Sequence, residues 1–316
     1  MSAPQAIGVD VGGTKIAALR VSADGTVVAR ATRGTPAADE AATLSAIDDA
    51  VEAVRTDGVV AIGVGAAGLV DARSGVLLSS PNLSWRDVPL RERLLSSFGL
   101  PVTVDNDATA GAWAESMLGA SRGVAYSLFV GVGTGIGGGI VQEGRLVRGA
   151  HGFAGEIGHV IVEPEGPPCG CGNRGCWEQV ASGHAIARAG RADVAARPDG
   201  AIAVMADGDP GRVTGELVTE AARQGDGTAR SILAEAGRRL GEGIAGLVNV
   251  LDTEIVVVGG GAGEAGDLLL EPLREAYRDA VEGVDVRPDV PIVEASFGND
   301  AGAIGAALVA MERVGA

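Results

Sequence analysis

Lysine is nearly absent from this 316-residue chain: of its 25 basic residues, 24 are arginine and one, Lys15, is lysine. That scarcity excludes several enzyme classes. A Walker A loop needs Gly-Lys-Ser/Thr, whereas Lys15 stands between Thr14 and Ile16, and a Schiff-base enzyme would have to use this one residue. Cysteine and histidine are as rare, three of each: Cys169, Cys171 and Cys176, and His151, His159 and His184. An odd, crowded cysteine set is not a disulfide framework, and the opening nine residues carry no basic side chain of a secretory signal. No apolar run reaches the roughly 18 to 20 residues of a membrane span; the nearest, 126–141, is broken by glycines. Acidic residues outnumber basic ones 41 to 25, and the net charge of −16 repels phosphate polymers and anionic membranes. The expectation is a soluble, cytoplasmic protein with neither nucleic acid nor membrane as partner, and a length that fits two domains of roughly 150 residues.

What is abundant is glycine, 51 residues, and its placement organises the chain. AIGVDVGG, KIAALRVS and TVVARAT predict three strands joined by tight turns, the second at Asp24-Gly25. A helix over about 40–54, a strand at VVAIGVGAAG, a hairpin at GVLLSS, a helix near 90–98 and a strand at PVTVDND follow. The next helix, about 108–118, is predicted with Asp107 as its N-cap. Near Tyr126 the opening pattern returns: SLFVGVGTGIGGGIVQEGRLVRG lies beside IGVDVGGTKIAALRVSADGTVVARATRG, as an internal duplication of two α/β halves would have it. Beyond about Glu178 the chain is mostly helical, with a buried strand at EIVVVGG, another at PIVEAS and a closing amphipathic helix from Ala301; 187–211 reads as a surface segment.

Three glycine turns follow strands: DVGGTK at 10–15, GVGTGIGGG at 131–139 and GGGAG at 259–263. Successive glycines let backbone N–H groups face a phosphate without obstruction, so three such turns favour nucleotide binding. Gly133, Gly135 and Gly138, and again Gly261, Gly263 and Gly266, also fit the dinucleotide fingerprint G-x-G-x-x-G. The first match, however, runs into a strand, and the second starts too near the C-terminus for a full βαβαβ unit. Asp10 offers an oxygen where a magnesium ion on nucleotide phosphates would need one. Lys15 either meets a phosphate or runs along the hairpin into solvent.

His159, Cys169, Cys171 and Cys176 supply one nitrogen and three thiolates, the Cys₃His set of a closed structural zinc site, with His151 and His184 as rival fourth ligands by spacing. Glu156 and Glu178 flank this loop, where a rigid metal site would fix their carboxylates for hydroxyl recognition.

DVGGTK, VDNDATA, GVGTGIGGGI with G-x-x-G-E-x-G-H behind it, CGCGNRGCWE and the late GGGAG together resemble the ROK family of bacterial sugar kinases, its glucokinases in particular, from about Ile7 to the last helix. The resemblance implies an actin-like, hexokinase-like ATPase fold, two duplicated ribonuclease H-like α/β domains around a cleft whose closure excludes water. The boundaries expected are 1–112 plus 302–316 for the smaller domain and 113–301 for the larger one with the zinc loop. It makes Asp107 the catalytic base, and Gly68, Asn82, Asn106, Glu156, His159 and Glu178 the sugar contacts, His159 through the ring nitrogen not on zinc. Gly12, Gly13, Thr14, Gly133, Thr134 and Gly135 would face ATP phosphates, with Asp10 and Lys15 beside them and Gly260 and Gly261 by the adenosine. ATP, Mg²⁺ and structural Zn²⁺ are the implied cofactors, and a homodimer or homotetramer the implied assembly. The activity implied is ATP-dependent phosphorylation of the 6-hydroxyl of glucose. Fructose, allose, N-acetylmannosamine or N-acetylglucosamine stand as alternative substrates, and a non-catalytic sugar-sensing regulator as an alternative role. DVGGTK begins ten residues in, which on this reading leaves no room for the helix-turn-helix of repressor relatives.

Overall fold

The computed structural model describes residues 4–261 and 265–315. The chain is a mixed α/β protein that divides into two compact units: Met1–Phe129 with Gly138–Gly155 and Ala295–Ala316, and Val130–Gly137 with Glu156–Glu294. This division, drawn by the packing of the chain on itself, keeps residues 113–129 with the first unit.

The first unit opens as the alternation of apolar residues dictates. β1 (Gln5–Val11), β2 (Lys15–Ser22) and β3 (Val27–Gly34) form an antiparallel meander, and the β1–β2 ladder ends at Val11↔Ile16, so that residues 12–15 must make the turn. α1 (Glu40–Val54) starts where the Asp39 carboxylate accepts the Ala42 N–H and buries Ile47, Ala50, Val51 and Val54. β4 (Val59–Ala66) runs parallel to β1. The expected hairpin is a three-stranded sheet of β5 (Leu69–Asp71), β6 (Val76–Ser79) and β7 (Arg86–Val88), the last strand being too short and polar to read from sequence. α2 (Leu90–Phe98) ends on Gly99 in the left-handed region, and β8 (Val102–Asn106) joins β4 in parallel.

α3 (Asp107–Leu118) corrects one expectation. Its N-cap is Asn106, whose Oδ1 accepts the N–H groups of Ala108 and Thr109, while Asp107 is the first helical residue. Both residue types cap well, but only the backbone shows that β8 hands over one residue earlier.

A second sheet repeats the order of the first. β9 (Ser127–Val132), β10 (Ile136–Gln142) and β11 (Arg145–Leu146) form the meander, followed by β12 (Ile255–Gly259) and β13 (Ile292–Glu294). The sheets read β3-β2-β1-β4-β8 and β11-β10-β9-β12-β13. The duplication seen in the sequence is therefore a duplication of topology. The second unit adds α4 (Glu178–Ala181), α5 (Gly183–Ala196), α6 (Ala201–Met205), α7 (Gly215–Arg223), α8 (Gly227–Leu251) and α9 (Asp267–Ala280). Segment 187–211 is not mere surface: it forms most of α5 and all of α6, and buries Val194, Ile202 and Ala203. Of GGGAG, residues 262 and 263 lie outside the described residues, as does the centre of the second dinucleotide match.

α10 (Ala301–Val314) returns to the first unit, and most of its circumference is buried because it is wedged between β1, β4 and α3. Glycine makes this fit possible. Gly8 and Gly63 are paired across β1 and β4, and a Cβ on either would lie 1.8 Å from Ala303 O or 1.9 Å from Ala306 O. A side chain there collides with backbone, which cannot turn aside. Gly63→Val is expected to cost at least about 3 kcal/mol and to yield little folded protein, whereas Gly58→Ala, with nothing within 4 Å of its new Cβ, leaves the melting temperature unchanged. Thermal unfolding of the two variants checks this.

Candidate active site and metal centre

In the first unit the candidate residues gather where β1, β4 and β8 end. Asp10 is the last residue but one of β1, and the turn after the strand is fixed by Gly12 N–H to Lys15 O (3.0 Å), Thr35 Oγ1 to Gly12 O (2.8 Å) and Thr35 N–H to Thr14 O (3.1 Å). Thr14 and Lys15 are exposed at its tip. Asn82 packs on this turn, so that a Cβ on Gly13 would lie 2.7 Å from Asn82 Cβ. Gly68 has φ +125°, and a Cβ there would strike Ser79 O at 2.2 Å, so only glycine serves. Its carbonyl accepts Asn106 Nδ2 at 3.3 Å. Asn106 thus spends its oxygen on the α3 cap and one N–H on Gly68, and its amide carries a second N–H besides.

Asp107 stands half-buried in the first turn of α3, and its Oδ1 accepts the Ala108 N–H at 2.9 Å. Burial holds its carboxyl above the ordinary carboxylate range, against the lowering effect of that hydrogen bond. Asp10 is also pushed up, to about 7, by burial first and then by the charges of Asp107 and Asp300, with Lys15 acting in the opposite sense. A Cβ on Gly302, at the start of α10, would lie 3.4 Å from Asp107 O and 3.5 Å from Asp10 Cγ. A field of like charges that one lysine cannot offset suits a divalent cation.

Asp10 has a consequence for stability. Between its unfolded value of 3.8 and about 7 the folded chain holds a proton that the unfolded chain has released, so stability falls as pH rises through that window. Asp10→Asn is expected to raise the melting temperature by several degrees near pH 8 and by little near pH 4, without nucleotide or divalent metal. Equal shifts at both pH values would contradict the assignment.

Three residues not anticipated from the sequence support this end of the sheet. Asp105, 4% exposed, takes Arg148 Nε at 2.8 Å and a terminal guanidinium nitrogen at 2.7 Å on Oδ2. Burial raises its carboxyl and the guanidinium pulls it back. The pair ties the loop from Arg148 onward to the strand that delivers Asn106 and Asp107. An acid inside the apolar run of β8 was the available signal, since a buried carboxylate needs a partner. Asp300, at the α10 N-cap, is held by both terminal nitrogens of Arg30. Thr35, which braces the phosphate-type turn, left no trace in the motif.

In the second unit, Gly133 N–H bonds Gly135 O at 3.0 Å, and the turn is docked on the start of α5 by Gly183 N–H to Gly133 O (2.9 Å) and His184 N–H to Thr134 O (3.2 Å). Gly260, at φ +82°, sits against the end of β9, where a Cβ would lie 2.5 Å from Val132 O; Gly261 follows it. Glu156 precedes a 3-10 turn, Ile157–His159, and its Oε2 lies 3.8 Å from His159 Nε2. Glu178 begins α4; its Oε1 accepts the Cys169 thiol at 3.1 Å and lies 3.8 Å from His159 Nδ1.

The ligand atoms of His159, Cys169, Cys171 and Cys176 all lie within 4.8 Å of one another. Zinc–sulfur and zinc–nitrogen bonds of about 2.3 and 2.0 Å on a tetrahedron give edges of about 3.8 Å between sulfurs and about 3.6 Å between sulfur and nitrogen. The observed Cys171–Cys176 Sγ separation is 3.6 Å and Cys169 Sγ to His159 Nδ1 is 3.6 Å. The donor set therefore fits zinc, with Nδ1 as the metal-side nitrogen and Nε2 turned to Glu156. Burial pushes the Cys169 thiol up to about 12, so the thiolate that zinc requires needs the cation beside it. Of the rivals, neither joins the cluster: His184 is exposed on α5 and His151 is exposed near Phe153, ring centroids 6.1 Å apart.

A meander-first sheet order used twice, glycine turns on strand ends and a carboxylate at the start of a helix define the two-unit α/β fold of hexokinase-like ATPases. The family model described as "ROK family" matches residues 6–313. A glucokinase of Streptomyces coelicolor is 41% identical over 309 residues, 97% of each chain, and one of Thermotoga maritima is 37% identical over 98% of each. The crystal structure of a ROK family glucokinase from Streptomyces griseus in complex with glucose and AMPPNP aligns with TM-score 0.91 and 40% identity, covering 98% of this chain and 99% of that one. The chain belongs to the ROK family. Among the described residues, no helix is long and apolar enough to cross a membrane.

Proposed function

We propose that this chain is an ATP-dependent hexose kinase that transfers the γ-phosphoryl group of ATP to the 6-hydroxyl of glucose, with Asp107 as general base. The observation that carries the reading is the Asp107 carboxyl, raised above its ordinary value by burial and held on rigid backbone at a strand-to-helix junction. Similarity across nearly the whole length to a glucokinase bound to glucose and AMPPNP supports both substrates.

A sugar hydroxyl is a weak acid, so its oxygen becomes a competent nucleophile only as its proton leaves. Asp107 accepts that proton as the bond to the γ-phosphorus forms. Gly68, Asn82 and Asn106 are the hexose residues of this reading, Asn106 through its remaining N–H, with Glu156, Glu178 and His159 Nε2 as partners of sugar hydroxyls. The backbone N–H groups of Gly12, Gly13 and Thr14, with Lys15, face the donor phosphates; Gly133, Thr134 and Gly135 do so from the second turn, and Gly260 and Gly261 lie by the adenosine. Magnesium, held at Asp10, would neutralise phosphate charge. His159, Cys169, Cys171 and Cys176 would hold a structural zinc ion, which would brace the 169–176 loop. The enzyme works in the cytoplasm as a homodimer or homotetramer.

The test is hexose-dependent ADP release over a panel of glucose, fructose, allose, N-acetylmannosamine and N-acetylglucosamine. Glucose is expected to give the highest kcat/KM. A preference for another hexose moves the substrate within the class, and no hexose-dependent release removes the kinase reading in favour of a sugar-sensing regulator.

A further inference from the structure

We infer that Gly135 is a positioning residue for the acceptor sugar: it leaves room for the Glu178 carboxylate, so that a turn assigned to the donor phosphates also sets hexose affinity. The inference rests on the function proposed above and adds a determinant of sugar binding to it.

Gly133 and Gly135 look equivalent in the motif, yet their surroundings differ. A Cβ on Gly133 would meet nothing within 4 Å, whereas one on Gly135 would lie 2.4 Å from Glu178 Oε2 and 3.6 Å from its Cδ. Neither glycine is among the positive-φ residues, so the backbone does not demand glycine at either place. What demands it at 135 is the carboxylate. The turn cannot retreat, because its carbonyls are bonded to the first N–H groups of α5. Glu178 is restrained as well: Oε1 accepts Gln179 Nε2 at 3.3 Å, and its side chain is only 18% exposed. The residue before it, Trp177, is 1% exposed and donates Nε1–H to Arg239 O at 2.8 Å, anchoring the start of α4.

A methyl group at 135 therefore leaves one way out, rotation of the Glu178 carboxylate away from its place. Moving a side-chain end costs the fold little. It does misdirect a charged acceptor whose hydrogen bonds to hydroxyls are strong and directional. The fold survives and the sugar contact does not.

The test is glucose binding by titration calorimetry without nucleotide, on wild type, Gly135→Ala, Gly133→Ala, Glu178→Asp and the Gly135→Ala/Glu178→Asp double variant, each with its zinc content and melting temperature. Gly135→Ala is expected to weaken glucose about tenfold to a hundredfold with zinc and melting temperature retained, and Gly133→Ala to bind glucose as wild type does. Shortening the acid makes room for the methyl, so the loss in the double variant is expected to fall short of the product of the two single losses. Unchanged glucose affinity in Gly135→Ala, equal losses in Gly133→Ala and Gly135→Ala, losses that multiply, or an unfolded or zinc-free Gly135→Ala would each overturn the inference. A wild type that binds no glucose would instead overturn the proposed function.

Discussion

Asp107→Asn is expected to bind glucose as tightly as the wild type and to lose about a thousandfold in kcat. General base catalysis by a positioned carboxylate contributes roughly 10² to 10⁴, and an amide of the same shape cannot accept a proton. Its oxygen can still accept the Ala108 N–H that Asp107 Oδ1 holds at 2.9 Å, so the first turn of α3 is kept. The substitution also removes one of the charges that raise Asp10. The variant should therefore melt no lower than the wild type, and lost turnover cannot be assigned to unfolding. Coupled ADP release gives kcat, calorimetry the glucose affinity, and a kcat within tenfold of wild type would remove Asp107 from its role.

Cys176→Ala is expected to take the metal content from about one zinc per chain to near zero, to lower the melting temperature by more than about 10 °C and to weaken glucose at least a hundredfold. Binding free energy at a structural zinc site is folding free energy, and the segment that zinc would order carries Glu156, His159 and Glu178, the residues proposed to contact the sugar. Cys176 is fully buried; its neighbour Trp177 bonds Val160 O, and Glu178 begins the next helix. His159 is both a donor of the cluster and the partner of Glu156, so losing the metal unsettles Glu156, His159 and Glu178 together. His184→Ala, outside the cluster, should keep its zinc. Metal analysis of both proteins decides, and a folded, metal-free wild type would sink the zinc assignment.

Legibility in the sequence followed the range of the forces involved. Strands β1 to β4, α1 and α2 were plain because alternation, turn residues and caps are local. The Cys₃His set was plain because scarce residues were crowded together, although only coordinates could choose His159 over its two rivals. Asp107 was expected as the cap, and the junction of β8 and α3 moved that role to Asn106. Buried Asp105 finds Arg148 43 positions away, and the Arg30 grip on Asp300 spans 270; neither partner can be picked out of a single sequence. The glycines carried two meanings that composition merges. Those at 68 and 260 hold turns at positive φ, whereas Gly8, Gly63 and Gly305 let α10 lie against backbone, with an added Cβ on Gly305 only 1.7 Å from Ala110 O.

The most direct test of the kinase assignment is the product itself. Purified chain with ATP, magnesium and glucose, followed by ³¹P NMR, is predicted to give glucose 6-phosphate as the one new phosphate ester, in equal amount to ADP. Release of inorganic phosphate without a sugar ester, or no consumption of ATP, would contradict it.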